Sequence, residues 1–506
     1  MAGQMVRRAW RRMPVWLAFG LLALFLNTGS VWAMAQTRGD ATTQPTRVAA
    51  AKTGAAAVFG IDDGGVISSS DATRALAAAT GAYWERISVN WRSLEPTQGT
   101  YDFTSADASL TPLINAGFSL IVYLAENPSW AANTPCGPVY PDKVTAFANM
   151  LGALAARYPK VKIWAAYNEV DFGDSNTAKN TGGCFGLDDV NGNGIPDYED
   201  YAVMLAAGWK AVHDANSSAL FAMGAVAYDN FNVATAPKGY PGGGNGGLFN
   251  SKFLPKLFTY MKNNLLSNDQ KYIDMLLFNY YDIYGPYWQQ KVGGIGILAK
   301  AKVLRQLMSK NGVPVVPLFV TESGVSSSRY GVGLNGQARC LTITMVRGAA
   351  ANLNGVIWWT FKDFADNAQF PQNTWKYGIV DQNLQPKLSY TALQTVANEL
   401  DGVTFKKNMT NTTNFSGVEA YSFAGNGMTK FVVWGVGIKP SDSTIPECAW
   451  SRAKKLATFK AKTLRVVTYL GAVKTIQDNS KKDQDPRVGY MAIKVGNDPL
   501  IVQRNP

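Results

Sequence analysis

The sequence predicts an α/β fold, a (β/α)8 barrel over residues 56–400 followed by a small C-terminal β-sandwich over 401–506. Three observations lead there. Short apolar runs alternate with helix-length amphipathic stretches eight times in succession. The alternation stops near residue 400, and only short alternating runs broken by turn residues follow. No glycine-rich phosphate turn follows the first strand, which disfavours a doubly wound sheet. A chain of 506 residues is also long for one core, and 47% apolar with 17% charged residues is a globular composition.

From the N-terminus, Arg7, Arg8, Arg11 and Arg12 precede an apolar run from Val15 to Leu26, and Ala33-Met34-Ala35 offers small residues where a cleavage site would fall. Residues 1–35 therefore read as a signal peptide. The run is shorter than the roughly 20 residues that span a bilayer, so no stable membrane span is expected after cleavage. The mature chain is expected to be secreted, periplasmic or on the cell surface. Residues 36–55, rich in Thr, Ala, Gly and Gln, read as a linker. Barrel strands are expected at 57–62, 84–90, 119–125, 161–167, 220–225, 273–279, 315–321 and 355–360, with helices at 141–157, 198–215, 294–310 and 336–352 among others. Sandwich strands are expected at 418–423, 430–435, 463–469, 491–495 and 499–502.

The net charge of +12 is unevenly placed. Four arginines sit in the leader, and residues 396–506 hold 16 Lys/Arg against 9 Asp/Glu, which leaves residues 56–395 close to neutral. No nucleic-acid partner is expected, and pairs such as Lys454-Lys455 and Lys481-Lys482 read as solvated charge. The chain has a single histidine, His213, in a helical stretch, so neither a Ser-His-Asp triad nor a histidine-based zinc site is available. Four cysteines in an exported chain, without CxxC spacing, point to disulfides. Of the three pairings, Cys136–Cys184 is preferred because both residues fall in loops at the same end of neighbouring strands.

Reactive groups of such barrels sit where strands end, at the C-terminal face. The fourth strand finishes in Asn168-Glu169 and the seventh in Glu322-Ser323-Gly324. Two carboxylates thus project from opposite sides of one barrel mouth. This arrangement resembles the retaining (β/α)8 glycoside hydrolases of clan A, in the style of family 39-like and family 5-like members. Other segments agree: Arg86 to Pro96 with Gly99-Thr100-Tyr101-Asp102-Phe103, Asn127-Pro128-Ser129-Trp130-Ala131, Trp358-Trp359, and Tyr377 to Asp381.

The resemblance implies hydrolysis of a β-linked poly- or oligosaccharide, with Glu169 as acid/base and Glu322 as nucleophile. It assigns Arg86 and Tyr281 to Glu322, Asn168 to the sugar 2-OH, and Trp359 with Trp358 to an aromatic floor. Trp130 and Glu126 join as substrate contacts. Clan members often carry a histidine before the strand-six tyrosine, where this chain has Asn279-Tyr280-Tyr281, which leaves open whether Tyr280 or Tyr281 takes the tyrosine's place. The charge of Glu322 is expected to raise the pKa of Glu169, as a general acid needs. No cofactor is expected for catalysis. A non-catalytic carbohydrate-binding barrel and a transglycosylase would share these residues.

Asp189, Asn191, Asn193, Asp197 and Asp200 occupy positions 1, 3, 5, 9 and 12 of a twelve-residue loop, with Gly194 at position 6 and the Ile195 carbonyl at 7. This is the spacing of an EF-hand-type calcium loop, with Asp at position 12 in place of the usual Glu, and a structural Ca2+ is expected there.

Overall fold

The computed structural model describes residues 52–505 apart from 63, 174–182, 233, 239, 241–246, 286, 289–293, 329–330, 366–374 and 441–444. The expected signal peptide and residues 36–51 of the linker lie outside the described residues. Eight parallel strands form the barrel: β1 Phe59–Asp62, β2 Trp84–Asn90, β3 Ser119–Ala125, β4 Ile163–Asn168, β5 Leu220–Ala225, β6 Leu276–Tyr280, β7 Leu318–Ser323 and β8 Gly355–Trp358. Their order is β5-β4-β3-β2-β1-β8-β7-β6. The bridges Ala222–Met275 and Val226–Phe278 close the ring between β5 and β6.

The strands alternate with helices α1 Asp71–Ala78, α2 Thr104–Asn115, α3 Val144–Arg157, α4 Asp197–Ala215, α5 Phe253–Tyr260, α6 Gly296–Lys310, α7 Gly333–Ala350 and α8 Leu388–Glu399. Parallel strands are covered on both faces, which is why they read as near-continuous apolar runs. Ile121, Ile163, Ala165, Leu277, Phe319 and Ile357 fill the barrel interior. Residues of the opposite parity, among them Trp164, Phe278, Val320 and Val356, pack in the layer shared with the helices. Strand β7 begins three residues later than the apolar run suggested. Pro317 has no N–H to give to a ladder, so pairing starts at Leu318.

The C-terminal strands are β9 Thr404–Asn408, β10 Val418–Gly425, β11 Met428–Gly435, β12 Lys455–Lys460, β13 Thr463–Thr468, β14 Val473–Gln477, β15 Tyr490–Val495 and β16 Leu500–Asn505. Six form an antiparallel sheet, order β14-β13-β16-β11-β10-β9, and β12 pairs with β15. The two-residue period then decides which side each residue serves. Val418, Ala420, Phe431 and Val433 face the sandwich core. Tyr421, Phe423, Val432 and Trp434 turn the other way, into the core shared with the barrel. Strands β9, β12 and β14 were absent from the expected set. The first and last are the edges of the large sheet and are mostly exposed, so they lack an apolar alternation.

Disulfides join Cys136 to Cys184, as preferred, and Cys340 of α7 to Cys448. The end of the expected linker is packed against the junction of the two domains: Lys52 pairs with Asp401, Gly54 bridges Asp401, and Ala55 N–H donates to the Val403 carbonyl at 2.6 Å.

Candidate active site

Both glutamates reach the barrel mouth because their strands break the two-residue period at that point. In β4, Ile163 and Ala165 point inward, so Tyr167 should follow. Instead Tyr167 has φ 68° and lies in the outer layer, where its hydroxyl donates to Asn127 Oδ1 at 2.5 Å. That turn sends Asn168 inward, and Glu169, at φ 49°, follows it into the mouth. In β7 the register against β6 slips between Phe278 and Asn279: Phe278 pairs with Val320 but Asn279 with Glu322. The extra residue is a bulge, and it lets Thr321 and Glu322 both face the interior.

Glu322 is 3% exposed and is held by three side chains. Arg86 donates from Nη1 to Oε1 at 2.7 Å, and Asn168 Nδ2 donates to the same oxygen at 3.1 Å. Tyr281 donates its hydroxyl to Oε2 at 2.8 Å, whereas Tyr280 donates to Asp282. Of the two tyrosines, Tyr281 is therefore the one that reaches Glu322. Arg86 also donates to Asn168 Oδ1 at 2.6 Å, which orients that amide, and its guanidinium lies 4.4 Å from the centre of the Tyr123 ring. Burial works against the Arg86 charge, but Tyr123, Glu322 and Asp62 outweigh it and hold the guanidinium protonated. Burial and the charge of Glu322 keep the Tyr281 hydroxyl protonated as well.

Glu169 differs. It is 8% exposed and accepts from Asn279 Nδ2 at 3.1 Å. Burial first, then the Glu322 charge, hold its pKa well above the usual carboxylate range, with Asp171 acting the same way and Asn279 and Arg86 opposing. The Asn279 amide is oriented in turn by Thr321, whose hydroxyl donates to Oδ1 at 2.9 Å. Asn279 thus meets Glu169 with a neutral donor.

A pocket opens beside Glu169, lined by Asp229, Asn230, Asn279, Tyr281 and Tyr284 among others. Its far wall was not foreseen. Asp229 accepts from Trp288 and from the fully buried Lys300 of α6, which also donates to the Asn279 carbonyl at 2.8 Å. Burial pushes Asp229 up to about 7, against Lys300, and Asp171 up to about 6, against N–H donors from Tyr228 and Ala227. A lysine on an amphipathic helix normally reads as solvated, so only the short distance from Glu169 to Asp171 in the chain hinted at this network.

Trp359 is 3% exposed, stacks on Phe364 at 5.3 Å and meets Tyr377 at 5.2 Å; its backbone N–H donates to the Ser323 carbonyl at 2.7 Å, one residue past Glu322. Trp358 does not share that position. Ile357 points into the barrel, so Trp358 faces the helix layer, fully buried, with its indole N–H on the Tyr377 carbonyl at 3.0 Å. The expectation of Trp358 under the sugar is corrected by the strand's parity. Glu126 pairs with Arg92, and Trp130 anchors its indole N–H on the Glu95 carbonyl at 3.0 Å. Both stand over the ends of β2 and β3, outside the hydrogen-bond network of the two glutamates. The expected calcium residues Asp189 to Asp200 run from the loop after β4 into the first turn of α4, also outside it. His213 bonds Asp274 at 2.8 Å on the outer side of the barrel.

No family model matches the sequence, and no curated protein matches it. Solved structures do share the fold. A family 39 glycoside hydrolase from the gut symbiont Bacteroides cellulosilyticus WH2 aligns with a TM-score of 0.60 at 17% identity, covering 91% of this chain and 81% of that one. A monomeric β-xylosidase from Caulobacter crescentus CB15 gives 0.56 at 13% identity, over 88% and 95%. A GH30 endoxylanase from Clostridium papyrosolvens C71 gives 0.52 at 12% identity, over 86% and 92%. The high coverage on both sides means that barrel and C-terminal sheets are shared together, and at these identities the likeness is one of fold.

Proposed function

We propose that this protein is an exported, retaining glycoside hydrolase that cleaves O-glycosidic bonds of a β-linked poly- or oligosaccharide by double displacement. The observation that carries the reading is the asymmetry of two buried glutamates in one mouth. Three donors stabilise negative charge on Glu322, whereas burial and that charge favour the protonated form of Glu169.

In the first step Glu322 attacks the anomeric carbon while Glu169 gives its proton to the departing oxygen. Once the glycosyl ester forms, the Glu322 charge is gone and Glu169 is the easier to keep ionised. It then takes a proton from water, whose attack releases the sugar and regenerates both groups. Asn168, fixed by Arg86, offers its remaining amide hydrogen to the sugar 2-OH, and Trp359 supports the ring. The fold shared with solved glycoside hydrolases supports the carbohydrate substrate. Export is supported by the two disulfides, which suit an oxidising compartment. No helix of the described residues is long and apolar enough to cross a membrane.

The test is hydrolysis of a panel of aryl β-glycosides and β-linked polysaccharides by the mature protein, Glu322→Ala and Glu169→Ala, with the anomer of the first product followed by NMR. The expected result is retention, a dead Glu322→Ala, and a Glu169→Ala variant that azide rescues on an activated aryl glycoside. Inversion, or full activity in Glu322→Ala, would overturn the mechanism. Glycan binding without cleavage across the panel would favour a non-catalytic barrel.

A further inference from the structure

The stretch of residues 189–200, among the described residues, takes no part in the hydrogen bonding of the glutamate pair, yet it is built around oxygen atoms. It runs straight into α4, so Asp197 and Asp200, three residues apart on the first turn, share one side of the helix. Gly194, at position 6, has φ 80°, the left-handed turn that bends the loop back on itself. Asn191 and Asn193 both direct their amides at Asp200 Oδ2, each at 2.9 Å. Side chains from positions 3, 5 and 12 therefore already meet, the two asparagines through their amide nitrogens.

Asp197 supplies an independent observation. It is fully buried, and one carboxylate oxygen, Oδ1, accepts from Val190 N–H at 2.8 Å. The other, Oδ2, is sealed from solvent and has no hydrogen-bond donor among the described residues. The charges acting on Asp197 include those of Asp200, Asp189 and Asp188, all of its own sign. A buried carboxylate oxygen in such company is costly unless a cation meets it.

Among the described residues no three acidic, histidine or cysteine side chains converge on one point. In this loop two of the five side chains are asparagines, whose Oδ1 atoms accept from the Asn193 N–H at 3.1 Å and the Ile195 N–H at 2.7 Å, so turning each Oδ1 towards Asp200 exchanges that bond for the cation. The donor set is then oxygen throughout, with three carboxylates, which selects a hard divalent cation. A flexible loop offering six or more oxygens suits Ca2+ better than the smaller, strictly octahedral Mg2+.

We propose that residues 189–200 bind one calcium ion through side-chain oxygens of Asp189, Asn191, Asn193, Asp197 and Asp200 and the Ile195 carbonyl, and that the ion braces the loops on the Glu169 side of the mouth. The connections are short. Asn133, in the loop after β3, donates to the Asn191 carbonyl at 2.9 Å. Cys184 is joined to Cys136 in the same loop, and Phe185 N–H donates to the carbonyl of Val170, next to Glu169, at 3.1 Å. Calcium at this place ties the β3 loop, the β4 end and the start of α4 into one unit.

The experiment is calorimetric titration of the chelator-treated mature protein with CaCl2 and, separately, MgCl2, together with thermal unfolding in each. One Ca2+ should bind per chain with Kd below about 1 mM and raise Tm by about 3 °C or more, and Mg2+ should do neither at equal concentration. Asp197→Ala and Asp200→Ala should lose both the heat and the shift. Asp188→Asn, at an exposed neighbour outside the ligand positions, should keep them. Asp189→Asn, at exposed position 1, weakens binding without disturbing a buried group and serves if Asp197→Ala does not fold. Absence of calcium heat in the folded wild type, an equal response to Mg2+, or undiminished binding by the folded variants would overturn the site. None of these readouts uses hydrolysis, so the result is separate from that of the proposed reaction.

Discussion

Asn279 presents its amide one way round. Its Oδ1 accepts from Thr321, which leaves Nδ2 to face Glu169. A donor at that point stabilises the ionised carboxylate, against the burial and the Glu322 charge that hold Glu169 high. In Asn279→Ala the opposing influence is gone, the pKa of Glu169 rises further, and its proton is lost only at higher pH. The alkaline limb of kcat/KM in the proposed reaction should therefore move upward, with kcat/KM lower by about 10-fold, or ~1.4 kcal/mol. A pH–rate profile checks this, and an unmoved alkaline limb would show that the amide does not tune the acid. Tyr281→Phe tests the other carboxylate. It removes a donor 2.8 Å from Glu322 Oε2, and hydrogen bonds to charged groups contribute ~1.5–3 kcal/mol, so kcat/KM should fall about 10- to 100-fold. If the bond serves the transition state, kcat should carry most of that loss.

At the scale of elements, the end of β4 is shaped by its neighbour β5. A Cβ on Gly224 would fall 2.4 Å from the Ala166 carbonyl oxygen and 2.7 Å from that of Tyr167, the residue whose left-handed turn sends Asn168 inward. Gly224→Ala must push β4 away, at a cost of about 1–3 kcal/mol for an overpacked core. The expected outcome is a lower Tm together with a loss of at least 10-fold in kcat, because the displaced turn carries Asn168 and Glu169. A variant that melts lower but turns over normally would separate the strand contact from the site. The same two strands show what a sequence can and cannot disclose. Apolar runs ending in Asn168-Glu169 and in Glu322 were legible, since parallel strands are buried on both faces and stop where polar residues begin. The direction of each side chain was not, because strict alternation turns Asn168 and Glu322 outward. A left-handed tyrosine and a one-residue bulge reverse that, and neither has a residue-type signature. Parity did hold at β8, and there it moved Trp358 out of the expected site. The edge strands β9 and β14, and Lys300 buried under the pocket, escaped for the opposite reason: polar residues on edges and helices read as surface whether or not they are.

Across the whole molecule, barrel and sandwich are joined through a buried ionic centre. Arg347 of α7, 1% exposed, sends Nε and Nη2 to the two oxygens of Glu419 in β10 at 2.8 Å each, and Nη1 and Nη2 to Glu447. Tyr421 and Trp434 complete the Glu419 shell at 2.6 and 2.9 Å. Burial alone would raise the pKa of Glu419, but Arg347 outweighs it and holds the carboxyl below its ordinary value. A folded-state pKa below the unfolded one means that Glu419 stabilises the fold above about pH 4.3, and that this contribution is lost as pH falls through the depressed folded value. Arg347→Ala leaves two buried carboxylates without their guanidinium and should cost about 3–5 kcal/mol at neutral pH. Removing the half-exposed Arg339–Asp498 pair should cost no more than ~1 kcal/mol. The two deficits should also respond differently to acid. Without Arg347 the buried Glu419 favours its proton, so acid relieves the variant while it weakens the wild type, and their urea midpoints should converge as pH falls towards about 4. A gap of constant size from pH 7 to pH 4 would mean that Arg347 joins the domains through packing of its stem rather than through its charge.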